Sequence, residues 1–274
     1  MNNKTVLVVG LGGVGKEHVK ALLFLGIDII GVDINNKVIL EYTEAFKKGY
    51  LVNEWADNVD VFKCKSFPLF TDIGLIDGKY DAVVISTPTK THKKIYEFFK
   101  DKKVPILIEK PVGFIPCSDN IFGGYMYLYD DAIQEYIPKK GQPQSLVMCV
   151  NDHYNSKDWR GKDSAIVSDL FSHLLAIYMH RTGEEVLVFN SGVVGKNNFM
   201  FEYYSYQYKT NIYFSGLYGQ TGANLTINGK VMEVDYSELF KRQMVDLLEN
   251  KHILSNNLLN KIEQYVKDYA SPSI

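Results

Sequence analysis

The chain has 274 residues, 46% hydrophobic and 23% charged, a composition that suits one large or two moderate globular domains. Its 30 Lys and Arg against 32 Asp and Glu leave a net charge of −2, so no basic surface argues for nucleic acid or an anionic membrane as partner. Three cysteines, Cys64, Cys117 and Cys149, are widely spaced and odd in number, which excludes a disulfide framework and a paired Cys-x-x-Cys site.

Together with the lack of a signal-peptide pattern or a bilayer-length apolar run, this leads to the expectation of a cytoplasmic protein with no membrane partner. Residues 5–10 (TVLVVG) are a short β-branched run of the kind that makes a buried strand. The run enters Gly10-Leu11-Gly12-Gly13-Val14-Gly15, which fits G-x-G-x-x-G, and residues 16–25 follow as a predicted helix. In that setting Gly10 permits the tight turn, Gly12 lets a pyrophosphate approach the backbone, and Gly15 lets helix and strand pack closely. The anion then rests on the free N–H groups and positive end of the helix. Gly10, Gly12, Gly13, Val14 and Gly15 are therefore candidate cofactor-binding residues.

A second strand, residues 27–32, ends at Asp33, 18 residues past Gly15. A carboxylate there accepts hydrogen bonds from an adenosine ribose diol and repels a 2′-phosphate, so NAD is expected rather than NADP. Residues 36–48 are predicted as the second helix and 59–64 as a third strand. Residues 82–86 (AVVIS) are a continuous apolar strand suited to the middle of a parallel sheet. Thr87-Pro88 and His92 follow it, then a helix over 93–100. The strand at 104–108 ends at Glu109-Lys110-Pro111. Strands alternating with helices give an α/β fold, a doubly wound parallel Rossmann sheet, in which ligands bind at the carboxyl ends of the strands. The glycine loop, Asp33, Thr87-Pro88 and Glu109-Lys110 all fall on that rim.

Further along, residues 165–180 read as a mostly apolar helix carrying Asp169 and His173 four residues apart, on one face. Such a pair can take up and return a hydroxyl proton. It also forms part of a looser group with Cys149, Asp152 and His153. That group shows no dedicated metal-ligand spacing, so no metal is expected. Strands are predicted at 186–190, 198–208, 211–218 and 223–234, with Asn228-Gly229 as a two-residue hairpin turn, and helices at 237–248 and 258–269. Residues 199–208 carry aromatic side chains that are expected to line both faces of their strand. Helices would cover one face and a second copy of the chain the other.

GLGGVG, then STPTKTH, then EKP, followed by Trp159-Arg160 and the D-x-x-x-H of Asp169 and His173, resemble the glucose-fructose oxidoreductase / inositol dehydrogenase (Gfo/Idh/MocA) family. The resemblance implies an NAD-binding domain over 1–124 and, over 125–274, an α/β domain with a large, mostly antiparallel open sheet. It implies hydride transfer between nicotinamide and a secondary alcohol or ketone of a sugar, nucleotide sugar or cyclitol. It also implies a homodimer or homotetramer formed through the second sheet. Lys110 would hydrogen-bond the reacting oxygen, His173 would exchange its proton, and Asp169 would support His173. Thr87, Pro88, His92, Glu109 and Lys110 would border the cofactor, with His92 closing over its nicotinamide side. Lys110, Tyr127, Trp159, Arg160, Asp169 and His173 would meet the substrate. Trp159 and Arg160 serve equally well as packing beneath the helix.

Two departures keep other readings open. Residues 112–120 are too short for the helix most relatives carry there. Met126 and Leu128 stand where the family's G-x-N-x-R segment has polar groups. A nucleotide-binding sensor without catalysis, or a reductase of a non-sugar ketone or imine, would also fit such a chain.

Overall fold

A computed structural model of the chain describes residues 3–55, 58–113, 115, 118–137, 146–153, 166–195, 197–219 and 224–270. The chain divides into two units, Met1–Met126 with Asp235–His252, and Tyr127–Val234 with Ile253–Ile274. The expected division is at 124/125; these units part between Met126 and Tyr127, and Asp235–His252 belongs to the first. The reason is packing: the helix Tyr236–Glu249 lies on the first helix of the chain, with Phe240 edge-on to His18 and Lys241 over Phe24.

In the first unit the strands are β1 (Thr5–Val9), β2 (Asp28–Val32), β3 (Tyr50–Trp55), β4 (Asn58–Lys63), β5 (Leu69–Phe70), β6 (Ala82–Ile85), β7 (Ile106–Glu109) and β8 (Ile121–Gly124). The main helices are α1 (Gly13–Phe24), α2 (Asn36–Lys48) and α3 (Thr89–Phe99). Six strands form one parallel sheet in the order β5-β2-β1-β6-β7-β8. The order reverses between β1 and β6, the switch point at which a doubly wound sheet opens a crevice for ligands. Val6, Leu7 and Val8 of β1, all of β6, and Ile106, Leu107 and Ile108 of β7 are fully buried, which is why these strands are apolar without alternation.

The predicted third strand is corrected. Residues 59–63 belong to β4, which pairs antiparallel with β3 as a separate hairpin, and Cys64 follows it. Val59 and Val61 face solvent there, so the alternation marked a half-exposed hairpin and not a buried parallel strand. The sheet's edge is the two-residue β5, too short to carry a sequence signal.

The second unit holds β9 (Leu146–His153), β10 (Val188–Val194), β11 (Asn198–Ser205), β12 (Thr210–Gly219), β13 (Asn224–Ile227) and β14 (Lys230–Met232), in the order β10-β11-β12-β9-β13-β14. Only β9 and β12 run parallel; the other pairs are antiparallel. Asn228 (φ 48°) and Gly229 (φ 79°) make the two-residue turn between β13 and β14, as their sequence predicts.

One face of this sheet is covered by a continuous helical segment, π-helical over Val167–Phe171 and α-helical over Ser172–Thr182. Phe171 sits among Phe199, Phe201, Tyr203 and Phe214, with ring centroids 4.9–6.1 Å away. The helix Asn256–Ala270 packs on the same segment. Its Tyr265 hydroxyl accepts the Leu187 N–H at 2.7 Å. β11 carries aromatic side chains on both faces, unevenly: Phe199, Phe201 and Tyr203 point inward, while Tyr204 lies on the other side with Met200 and Glu202. Among the described residues no helix is long and apolar enough to cross a membrane.

Candidate functional site

The first unit builds a nucleotide cradle at the carboxyl ends of β1 and β2. Gly10 leaves β1 with φ 92°, and its N–H donates to Val32 O at 2.8 Å. A Cβ on Gly10 would lie 2.7 Å from Ser86 O, and one on Gly15 would lie 2.0 Å from Gly10 O, so both positions demand glycine. Gly12 and Gly13 differ: a Cβ on either would meet nothing within 4 Å. They border open space at the start of α1, whose N-cap, Gly12, supplies no side-chain acceptor to the first-turn amides. Those amides and the helix dipole are the physical requirements for binding a pyrophosphate. Val14 is half-buried at the start of the helix.

Asp33 ends β2 with its carboxylate fixed from two sides. Oδ2 accepts the Leu11 N–H and Oδ1 accepts the Asn35 N–H, both at 2.8 Å. The carboxylate is thus tied to the glycine loop itself. Ile34 beside it is 90% exposed, an apolar side chain presented to solvent at the mouth of the cradle. The sequence reading passed over Ile34; its signal was an isoleucine immediately after the strand-ending acid. These features fit an adenine dinucleotide, with Asp33 for the ribose and the α1 amides for the phosphates.

On the same rim, Thr87 and Pro88 follow β6 and are half-buried. Thr91 Oγ1 lies 2.8 Å from Thr87 Oγ1, and Ser86 Oγ donates to Gly10 O at 2.7 Å, which ties this turn to the glycine loop. Glu109 and Lys110 follow at the end of β7, and the Lys110–Pro111 peptide is cis. Lys110 is half-buried. Glu109 is buried, and its Oε1 lies 2.7 Å from His18 Nε2, which pairs it with α1. His92 is also buried, with Nε2 2.7 Å from Thr87 O and Nδ1 3.2 Å from Pro111 O. Its ring contacts the backbone of both turns. Burial holds its pKa below the ordinary histidine value, against the pull of the carbonyl contacts and of Glu109. His18 was not foreseen, because a histidine within a helical pattern carries no signal until its partner is known.

The second unit holds the remaining candidates. Asp169 lies in the π-helical turn and His173 in the α-helix that follows it, so the uniform helix predicted for 165–180 is corrected. Single π-turns of this kind recur at functional sites because they re-aim side chains. Both residues are buried. The Tyr218 hydroxyl donates to Asp169 Oδ2 at 2.5 Å, and the Tyr127 ring stands edge-on to His173 with centroids 4.8 Å apart. Tyr218 is a further residue the sequence did not single out. Met126 and Leu128, adjoining Tyr127, are buried. Trp159 and Arg160 lie outside the described residues. Among the described residues no group of three or more His, Cys, Asp or Glu side chains is arranged to hold a metal ion.

Comparison with known proteins follows the same lines. Residues 4–118 match the model of GFO_IDH_MocA, an oxidoreductase family with an NAD-binding Rossmann fold. Inositol 2-dehydrogenase 2 of Mycolicibacterium vanbaalenii is 28% identical over 209 residues, covering 68% of this chain; the chain spans only 55% of that protein's length. Two solved structures share the fold. The WlbA (WbpB) dehydrogenase of Thermus thermophilus, in complex with NAD and UDP-GlcNAcA, has a TM-score of 0.73 at 11% identity, over 99% of this chain and 96% of its own. The myo-inositol 2-dehydrogenase of Lactobacillus plantarum has a TM-score of 0.70 at 12% identity, over 96% and 95%. The glycine cradle, the strand-ending acid and the E-K-P turn all lie within residues 4–118, the part of the chain that is similar to this NAD-binding oxidoreductase family.

Proposed function

We propose that this protein is an NAD-dependent oxidoreductase that transfers a hydride between nicotinamide and a carbinol or ketone carbon of a sugar, nucleotide sugar or cyclitol. The observation that carries the reading is the placement of Asp33, the open Gly12-Gly13 helix start and Lys110 at the carboxyl ends of one parallel sheet. The relatives' names supply the substrate class: an inositol dehydrogenase by sequence, and dehydrogenases of inositol and of a nucleotide sugar by fold.

When bound, NAD supplies the hydride-accepting carbon. Asp33 accepts the ribose hydroxyls, and the α1 amides hold the phosphates. The Lys110 ammonium donates to the reacting oxygen and stabilises the charge that develops on it. His173 takes the hydroxyl proton during oxidation and returns it during reduction, with Asp169 orienting it and Tyr218 in turn fixing Asp169. Tyr127 stands edge-on beside His173. Lys110→Ala and His173→Ala are each expected to lower kcat by about 10²–10⁴-fold in a polyol and nucleotide-sugar screen. NADH affinity should stay within about threefold in both; full turnover in both variants would refute the reading.

The exposed face of the second sheet supports self-association. Val193, Met200 and Val231 are 57–61% exposed on cross-strand rows of that face, with Val147 and Leu217 on the same side. A second copy covering this face would give a homodimer or homotetramer. A second functional reading, a nucleotide-binding sensor, draws on the buried apolar Met126 and Leu128. Tight NADH binding without turnover would favour it.

A further inference from the structure

Buried imidazoles stand on both sides of the Glu109-Lys110-Pro111 tripeptide. On α1, His18 is fully buried, with Nε2 2.7 Å from Glu109 Oε1. Its ring is set edge-on against Phe240, centroids 4.8 Å apart. Gly124 on β8 leaves the space this pairing needs, because a Cβ there would stand 2.8 Å from both Glu109 Cα and its carboxyl carbon. On α3, His92 is 1% exposed. Its Nδ1 lies 3.2 Å from Pro111 O and 3.4 Å from Val112 O, while Nε2 lies 2.7 Å from Thr87 O. As a neutral imidazole the ring donates one N–H, either to the carbonyls of the turn after β7 or to that of the turn after β6, and packs its other nitrogen against the second turn. A buried ring in such a position cannot swing away without leaving polar groups unpaired.

We propose that His18 and His92 are positioning residues for Lys110, anchoring the backbone on its two sides. His18 fixes Glu109 before it; His92 packs between Thr87 and the Pro111-Val112 segment after it, with its one N–H donated to one of them. Neither histidine performs chemistry. The pair sets where the ammonium points, and a displacement of about 1 Å at a reacting group can cost about 10²-fold in rate. The proposal rests on the reading of Lys110 as the group that meets the reacting oxygen, yet its test needs no turnover.

The amide nitrogen of asparagine overlays Nδ1 of histidine, and that of glutamine overlays Nε2. At position 18, H18Q therefore keeps the Glu109 contact and H18N loses it. At position 92, H92N keeps the Pro111 and Val112 contacts, while H92Q keeps only the Thr87 contact. The probe is reductive ¹³C-methylation of the lysines, with the Lys110 resonance identified by its loss in K110R. In H18Q and H92N the resonance is expected at its wild-type position. In H18N and H92Q it should move to the position of freely solvated lysines, and kcat should fall between about tenfold and a hundredfold with NADH affinity retained. A general loss of stability would not produce this crossed pattern.

An unmoved Lys110 resonance in all four folded variants overturns the proposal, as does equal movement in H18Q and H18N. Should an Asn or Gln variant fail to fold, Phe240→Leu loosens the His18 ring without removing a polar group. It must still shift the resonance, and an unshifted one overturns the His18 half. If K110A retains full turnover while the crossed pattern holds, the catalytic reading fails and the positioning stands. If K110A is inactive and the pattern is absent, the positioning alone fails.

Discussion

Asp33 is the residue proposed to choose the cofactor, and its geometry makes that proposal testable. Both carboxylate oxygens already accept backbone N–H groups, so the charge is held at the end of β2 beside the glycine loop. Asp33→Ala should weaken NADH binding by about 1.5–3 kcal/mol, the worth of hydrogen bonds to a charged group, and leave NADPH binding unchanged or improved. Isothermal titration of both nucleotides reads the difference directly. The buried histidines give a pH dependence of defined sign. Burial lowers the pKa of His92, and burial with the adjacent Arg181 lowers that of His180. A lowered histidine pKa means the folded state resists protonation, so stability is full above the unfolded value of about 6.5 and is lost as pH falls through it. Thermal melts from pH 8 to about pH 5 should show falling Tm, and His180→Gln should flatten the fall. Burial likewise pushes the Cys64 thiol up to about 11, so iodoacetamide at neutral pH should leave it unmodified in the folded protein. The sequence made Gly10, Gly15, Asp33 and Lys110 legible because each stands in a short local pattern. It hid His18 and Tyr218, whose partners are 91 and 49 residues away.

Strands and helices were readable wherever burial was uniform. β1, β6 and β7 are buried on both faces and read as plain apolar runs. β4 was misplaced because alternation identifies a half-exposed strand without naming its partner. β9, the central strand of the second sheet, was not anticipated at all: LVMCVNDH mixes apolar and polar residues, and its neighbours β12 and β13 come far later in the chain. The π-turn carrying Asp169 is also beyond sequence patterning, since one extra residue per turn leaves no periodic mark. Two substitutions probe these elements. Gly15→Ala places a Cβ 2.0 Å from Gly10 O, so it should cost about 1–3 kcal/mol in thermal unfolding and abolish NADH binding. Phe171→Ala empties the centre of the aromatic cluster under the second sheet and should cost about 3–5 kcal/mol.

The first unit holds the nucleotide cradle and Lys110, and the second holds the Asp169–Tyr218 pair and His173. The open face of the second sheet is the surface on which self-association would act. Met200→Lys places a charge in an apolar row and should reduce the mass measured by light scattering to that of the monomer. The most direct test of the assignment is the formation of NADH when the wild-type protein is mixed with NAD and a panel of inositols, sugars and nucleotide sugars, followed by its near-ultraviolet absorbance. Absorbance growth with at least one polyol, and far less with NADP, is the predicted result. Tight NADH binding with no growth for any member of the panel would contradict it and leave a nucleotide-binding protein without this chemistry.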